Sequence, residues 1–391
     1  MTDIVILAAR RTPIGAFQGV FNGTPATQLG AAAIRAVLAD SRVPPEQIDE
    51  VILGCVLQAG QGQAPARQAM LAAGLPQSVP ATTINKVCGS AMKAMMIACD
   101  QLKVGGATTL VAGGLESMTN APYLLPKARG GYRMGHGEIL DHMFFDGLQN
   151  PYDGKMMGFF ADATAAKYGF TREQQDAFAA ESVRRAQAAV ASGAFKTEIT
   201  PVTVKSRKGE LIIDSDETPG TCDIAKIPAL KPAFNKDGTV TAASSSSISD
   251  GAAALVLTTA ANAGTLGVKP LARVIAYASH AHQPKWFTTA PSSAIQKVLD
   301  KAGWQVSNVD LFEINEAFAC VTMAAMHDLG LSHDKVNING GACALGHPIG
   351  AAGARITTTL IHALKSRALQ RGVASLCIGG GEATAMAIEM L

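Results

Sequence analysis

AIRAVLADSRVPPEQIDEVIL, residues 33–53, returns at 294–314 as AIQKVLDKAGWQVSNVDLFEI. A second pair keeps the same order: GATTLVAGGLE at 106–116 and GVASLCIGGGE at 372–382. Both pairs are offset by roughly 260 residues, the mark of an internal duplication rather than of chance similarity. Each copy alternates short apolar strands with Ala-rich helices, a pattern that predicts α/β layers around a buried sheet. In the first copy the expected strands are 4–7, 50–56, 81–87 and 108–112, the last closing on Gly113-Gly114. The expected helices are 29–39, 64–73 and from Ser90 to about 104. Strands at 251–258 and 271–278 resume after an insertion.

That insertion has a different texture. Residues 120–154 are rich in Gly, Tyr, His, Met and Asp and show little periodicity. A long polar helix over 171–192 opens with a capping box, Thr171 with Gln174. Residues 202–213 alternate like a hairpin, and 219–238 read as loop. The chain therefore divides into residues 1–118 with 247–268, an inserted 119–246, and a second half from 269 to 391.

Composition narrows the function. With 391 residues, 48% hydrophobic, 16% charged and a formal net charge of +2, the chain is globular and has no global pull toward nucleic acid or membrane. No apolar stretch reaches spanning length, and no signal-peptide start or peroxisomal ending is read. Seven cysteines, at 55, 88, 99, 222, 320, 343 and 377, form no CxxC pair and no Cys/His cluster. That scatter argues for a reducing cytoplasm and against disulfides or structural zinc. GxxxxGK(S/T), HExxH and GxGxxG after a strand are absent.

Four stretches carry chemistry. In ATTINKVCGSAMKAMM (81–96), Cys88 stands on a strand-to-helix turn, where unpaired N–H groups and the helix dipole favour thiolate. Gly89 would let the backbone approach whatever the sulfur attacks. The alternative is a small buried hydrophobe. In FEINEAFAC (312–320), Asn315 and Glu316 either aim a side chain into a cleft or cap a helix. NGGACALGHPIGAAGAR (339–355) packs five glycines around His347-Pro348. Pro348 fits a first helical turn, and His347 is either functional or satisfies a buried turn. SLCIGGGE (375–382) offers a second thiol, Cys377, or simply a tight turn. Two thiols and a histidine at glycine-rich strand–helix junctions point to acyl chemistry. One thiolate takes the acyl group, the other thiol moves a proton, and nearby N–H groups receive oxyanions.

With IVILAARRTPIGAFQG, NKVCGSAMKA, GGLESMTNAPYLLP, SDGAAALVL, EINEAFA, GGACALGHPIGAAGAR and CIGGG in this order, the whole chain resembles the thiolase family, in its acetyl-CoA acetyltransferase branch. The resemblance implies duplicated βαβαβαββ halves in a five-layered αβαβα core with an inserted loop domain. It implies that Cys88 is the acylated nucleophile, that His347 activates it, and that Cys377 is the acid/base for the second acetyl group. Asn315 would hold a water that forms one oxyanion hole with His347, and the N–H groups of Cys88 and Gly379 would form the other. Leu148, Met157, Ser246, Ala317 and Phe318 match positions lining the coenzyme A channel. Acetyl-CoA, acetoacetyl-CoA and CoA would be substrates and products, with no separate cofactor and no metal. The protein would be a cytoplasmic homotetramer, a dimer of dimers, with residues 128–141 as the tetramerisation loop.

Some positions depart from the family pattern. Met156 stands where biosynthetic members often have His, and Ser244 where the family has Asn. The loop over 219–226 is slightly short, and no arginine matches the one that approaches the CoA adenine and phosphate end. Trp286-Phe287 replaces the usual Val-Met beside the acyl pocket, and Glu382-Ala383-Thr384 replaces Met-Gly-Ile. These leave a broad-chain 3-ketoacyl-CoA thiolase as the nearest rival. A decarboxylating ketoacyl synthase would want Cys/His/His or Cys/His/Asn, and a silent acyl-CoA carrier would lack a reacting thiol.

Overall fold

The computed structural model describes residues 2–206 and 209–391. Its sheet repeats one strand order twice. From the middle outward, the first half runs Ile4–Arg11, Ser249–Thr259, Thr109–Ser117, Glu50–Gly54 and Ala81–Ile84. The second runs Ala272–Ala281, Glu382–Met390, Arg371–Ile378 and Leu311–Ile314, and a parallel bridge from Phe312 to Val336 stands where the first half has its outermost strand. In each half the first two pairings are antiparallel and the next is parallel. A short ladder, Ile4–Ile6 against Ala272–Val274, joins the halves.

Helix burial sorts the layers. Ser90–Lys103 and Ala352–Ser366 pack with strand side chains of both halves in one apolar cluster. Ala352–Ser366 is buried almost all round, as a helix between two sheets must be. Ala26–Ser41 and Pro65–Ala72 cover the outer face of the first half, and Ala290–Ala302 covers that of the second. With the two halves of the sheet counted as layers, the order is helix, sheet, helix, sheet, helix, as the resemblance implied. In the central layer Leu360 is fully buried, so Leu360→Ala costs about 2–5 kcal/mol.

Glycines allow the central layers to approach. A β-carbon on Gly114 would lie 2.0 Å from the Gly350 carbonyl oxygen across the layers, while one on Gly113 would lie 2.1 Å from the Ala253 carbonyl oxygen on the neighbouring strand. The strand Thr109–Ser117 continues through this pair instead of ending there, held in its ladder with Ser249–Thr259 as far as Ser117. The first strand also runs longer than expected, to Arg11.

Arg11 ties the inserted segment to this core. Its fully buried guanidinium donates to Glu198 at 2.5 Å and to both carboxylate oxygens of Asp216, at 2.7 and 2.9 Å. The two carboxylates hold the proton on Arg11 despite its burial. Within the insertion, Arg172–Ser192 carries the expected capping box. The strands Val202–Ser206 and Gly209–Ile213 pair antiparallel, and the expected hairpin's connecting residues 207 and 208 lie outside the described residues. Residues 219–238 are more ordered than a loop, with short 3-10 turns at Thr218–Thr221 and Ile224–Ala229. The aperiodic 120–154 stretch contains a small ladder, Tyr123–Leu124 with Leu140–Asp141, and a π-helical turn, Met143–Leu148.

Candidate active site

The strand before Cys88 stops at Ile84, short of the expected Val87, because Asn85–Gly89 form a turn. Val87 takes φ +48°, a left-handed conformation that a β-branched residue pays strain to adopt. Neighbours hold it there. Val87 N–H donates to Asn85 Oδ1 at 2.8 Å, Lys86 N–H to Ser90 Oγ at 2.8 Å, and Ser90 Oγ to the Val87 carbonyl at 2.6 Å. The helix begins at Ser90, so Cys88 precedes it by one turn residue.

Enclosure decides the state of the thiol. Burial pushes Cys88 up to about 11. The N–H groups of Gly379 and of Cys88 itself pull it down, and the Glu116 carboxylate pushes it further up. Burial thus works against the thiolate that the helix terminus and the local N–H groups favour. Activation needs a base.

His347 has the properties of that base. Burial first, and the Arg355 charge second, lower it to about 3, so the imidazole is neutral at ordinary pH. Pro348 does not open a helix. It begins a turn closed by Ala351 N–H on the Pro348 carbonyl at 3.0 Å, and the helix starts at Ala352. Glu116 secures this turn, accepting from the N–H groups of Gly350, Val56 and Leu57 at 2.9, 3.0 and 3.1 Å. His347 N–H donates to the Ser247 carbonyl at 3.1 Å.

Behind the ring lies Asn315, whose side-chain nitrogen is 3.5 Å from the ring nitrogens. Arg355 donates to Asn315 Oδ1 at 3.2 Å. A guanidinium has donors only, so it fixes the amide with oxygen outward and nitrogen toward His347. Neither Asn315 nor Glu316 caps the following helix. Glu316 instead accepts from Ser182 Oγ, Asn337 and Cys343 N–H at 2.6, 2.9 and 3.1 Å. Cys377 sits at the end of Arg371–Ile378, before a turn to the antiparallel Glu382–Met390, so its junction is strand to strand. Burial raises its thiol well above the ordinary range.

Cys88, His347, Cys377 and Gly379 line one cavity of about 370 Å3, with Leu148, Met157, Ser246, Ala317 and Phe318 along its walls. Asn315 stands behind His347 rather than on the lining. Phe287 lines the cavity and is 3% exposed. Trp286 does not line it: its ring lies beneath the ammonium groups of Lys167 and Lys285, at 4.6 and 5.1 Å. The expectation for Trp286 is corrected, because the two residues leave the short turn in different directions. Ser244 also misses the cavity; its Oγ accepts from Thr241 N–H at 2.8 Å. Met118, Phe144, Phe234 and Ile349 line the cavity without a sequence signal that separates them from core. Glu116 and Arg355 had one, a charge inside an otherwise apolar run.

Two thiols, a neutral imidazole and converging N–H groups in an apolar cavity define an acyl-transfer site on a duplicated α/β scaffold. Residues 4–261 match the family described as Thiolase, N-terminal domain, and residues 268–390 match Thiolase, C-terminal domain. The chain is 51% identical to acetyl-CoA acetyltransferase of Pseudomonas aeruginosa over 391 residues, 99% of each chain. It is 49% identical to that of Escherichia coli over 393 aligned residues, all of both chains. Among solved structures, the Bacillus anthracis acetyl-CoA acetyltransferase superposes with a TM-score of 0.98 at 43% identity, covering 100% of this chain and 99% of that one. A thiolase from Ascaris suum in complex with coenzyme A gives 0.95 at 43% identity, with full coverage of both. The chain belongs to the thiolase family, in its acetyl-CoA acetyltransferase branch.

Proposed function

We propose that this acyltransferase joins two molecules of acetyl-CoA into acetoacetyl-CoA and free CoA, and runs the reverse thiolysis, through an acetyl group carried on Cys88. The observation that carries the reading is the convergence of Cys88, His347, Cys377 and Gly379 on one apolar cavity. Neutral His347 takes the Cys88 proton as the sulfur attacks the thioester carbon, and the N–H groups of Cys88 and Gly379 receive the oxyanion. Collapse breaks the bond to CoA, whose sulfur takes the Cys377 proton. The resulting Cys377 thiolate, strongly basic in its enclosure, removes a methyl proton from the second acetyl-CoA. The carbanion attacks acetyl-Cys88, with the second thioester oxygen held by His347 and a water on Asn315. Cys88 leaves as thiolate and recovers its proton from His347, so every proton is accounted for.

CoA thioesters are substrates here, and the chain's own side chains move every proton in this scheme. The pantetheine arm runs past Leu148, Met157, Ser246, Ala317 and Phe318, and Phe287 closes the acyl end. Among the described residues no group of three or more His, Cys, Asp or Glu side chains is placed to hold a metal ion, and no helix is long and apolar enough to cross a membrane. The enzyme works in the cytoplasm on this reading, supported by seven cysteines that are all free. It assembles as a tetramer, supported by apolar side chains left in water on residues 128–141: Met134 is 97% exposed and Ile139 65%.

Incubation with acetyl-CoA alone tests the reaction. Release of CoA with formation of acetoacetyl-CoA is expected. Failure both to condense acetyl-CoA and to cleave acetoacetyl-CoA with CoA sinks the reading. Light scattering tests the assembly, and a monomer at micromolar concentration overturns it.

A further inference from the structure

The N–H groups of Cys88 and Gly379 act together on the Cys88 sulfur, yet they sit on turns from opposite halves of the duplication. The strands that lead into those turns, Ala81–Ile84 and Arg371–Ile378, are not neighbours in the sheet. No ladder hydrogen bond therefore sets the distance between the two donors. The Gly379 turn is packed on one side only: a β-carbon on Gly381 would lie 2.4 Å from the His282 carbonyl oxygen, while the Gly380 side is open. Gly380 and Gly381 take φ +94° and +92°, and a β-carbon on Gly380 would meet nothing within 4 Å. One on Gly379 would meet only Met157 and Val87, each at 3.7 Å.

Besides the Gly379 N–H on the Cys88 sulfur, a side-chain ion pair crosses between these turns: the Lys86 ammonium is paired with the Glu382 carboxylate. Both residues stand on fixed backbone. Lys86 N–H is bonded to Ser90 Oγ, two residues before the nucleophile. Glu382 pairs with Ile378 on one side and Ala281 on the other, at the start of the strand leaving the Gly379 turn. The side chains keep 24% and 36% exposure, so the pair is too open to add much stability. Its value lies in where it is. It is a bracket across the two turns whose N–H groups must face one oxygen.

We propose that Lys86 and Glu382 are positioning residues, whose ion pair holds the Cys88 and Gly379 turns at the spacing at which their N–H groups share one oxyanion. This rests on the reading of Cys88 as the acylated thiol. Neither side chain touches substrate. The pair acts through donor geometry, which matters in the transition state more than in binding. Loss of one oxyanion donor costs about 100- to 1,000-fold in rate, and a donor displaced rather than lost costs less, about tenfold.

The experiment measures the rate of Cys88 acetylation at saturating acetyl-CoA, by rapid quench and peptide mass spectrometry. It compares the wild-type enzyme with Lys86→Met, Glu382→Gln and the charge-swapped Lys86→Glu/Glu382→Lys. Each single variant is expected to acylate about tenfold more slowly, with KM within about twofold and a melting temperature within about 2 °C of wild type. The swap is expected to recover most of the loss, and high salt to slow the wild type but not the single variants. Single variants as fast as wild type, or a swap no faster than the single variants, overturn the proposal. Wild-type enzyme acetylated at a residue other than Cys88 overturns the underlying reading instead, and the mass spectrum separates the two.

Discussion

The side chain of Ile378 enters the notch left by Gly89, its Cδ1 lying 2.3 Å from where a β-carbon on residue 89 would stand. The residue after the nucleophile is therefore small for a neighbour, not for the substrate. Ile378 follows Cys377 directly, so the notch seats the second thiol's strand against the first thiol's turn. Gly89→Ala is expected to cost about 1–3 kcal/mol of stability through overpacking and to impair both half-reactions. Denaturant unfolding and condensation assays check this; a variant with wild-type stability and rate refutes the packing role.

Cys377→Ala separates the half-reactions. Acetyl should still load onto Cys88, while carbon–carbon bond formation falls about a hundredfold or more. Mass spectrometry after brief exposure to acetyl-CoA reports the first step and acetoacetyl-CoA production the second. Acetyl found on Cys377 of the wild-type protein, with Cys88 free, would reverse the assignment.

The resting pair should be neutral. Cys88 is pushed up to about 11 and His347 down to about 3, so at neutral pH the sulfur keeps its proton and the imidazole has none. Alkylation of Cys88 by iodoacetamide in the free enzyme should accelerate steadily as pH rises from about 6 to 9. A rate already level across that range would reveal a preformed thiolate–imidazolium pair.

The Glu116 contribution to stability should fall as pH rises through neutrality. Burial raises Glu116 from 4.5 to about 7, so the folded chain keeps a proton that the unfolded chain gives up. The contribution is complete below about pH 4.5 and is lost as pH rises through about 7, a loss on the order of 3 kcal/mol once ionised. Glu313 and Glu316 are shifted the same way by burial. His347, lowered by burial, acts with the opposite sign below about pH 6.5, so Glu116 is read by difference: between pH 5 and 8 the wild type should lose urea-unfolding free energy relative to Glu116→Gln. A wild type that gains on Glu116→Gln over this interval contradicts the sign.

Chain length should be limited by Phe287. It lines the cavity and meets Phe160 edge-on at a centroid distance of 6.4 Å, so it has little room to retreat. Forcing a longer acyl tail past it costs about 1–3 kcal/mol, roughly a ten- to hundredfold preference for the four-carbon substrate. Phe287→Ala should widen the range. Equal specificity constants for four- and ten-carbon 3-ketoacyl-CoA in the unmutated enzyme would sink the idea.

Much of this protein was legible as one-dimensional pattern. The duplication, the alternation of strand and helix and the capping box at Thr171 depend on residues near each other in sequence, and local rules read them. Cys88, His347 and Cys377 were also visible, because glycines and polar atoms interrupt apolar runs at those points. Only the tertiary structure decided what depends on distant neighbours. Burial pushes the Cys88 thiol up although the residue lines the cavity, and no local motif encodes that surrounding. Phe287 faces the cavity while adjacent Trp286 lies under two lysines, a choice made by one short turn against the packed chain. Glu116, four residues past the expected end of its strand, anchors the turn that carries His347 from more than half the chain away. Lys86 and Glu382 lie 296 residues apart in the sequence, and their pairing exists only because two copies of one unit fold against each other. Desolvation, side-chain direction and long-range pairing are set by what surrounds a residue in space, and only folding brings those surroundings together.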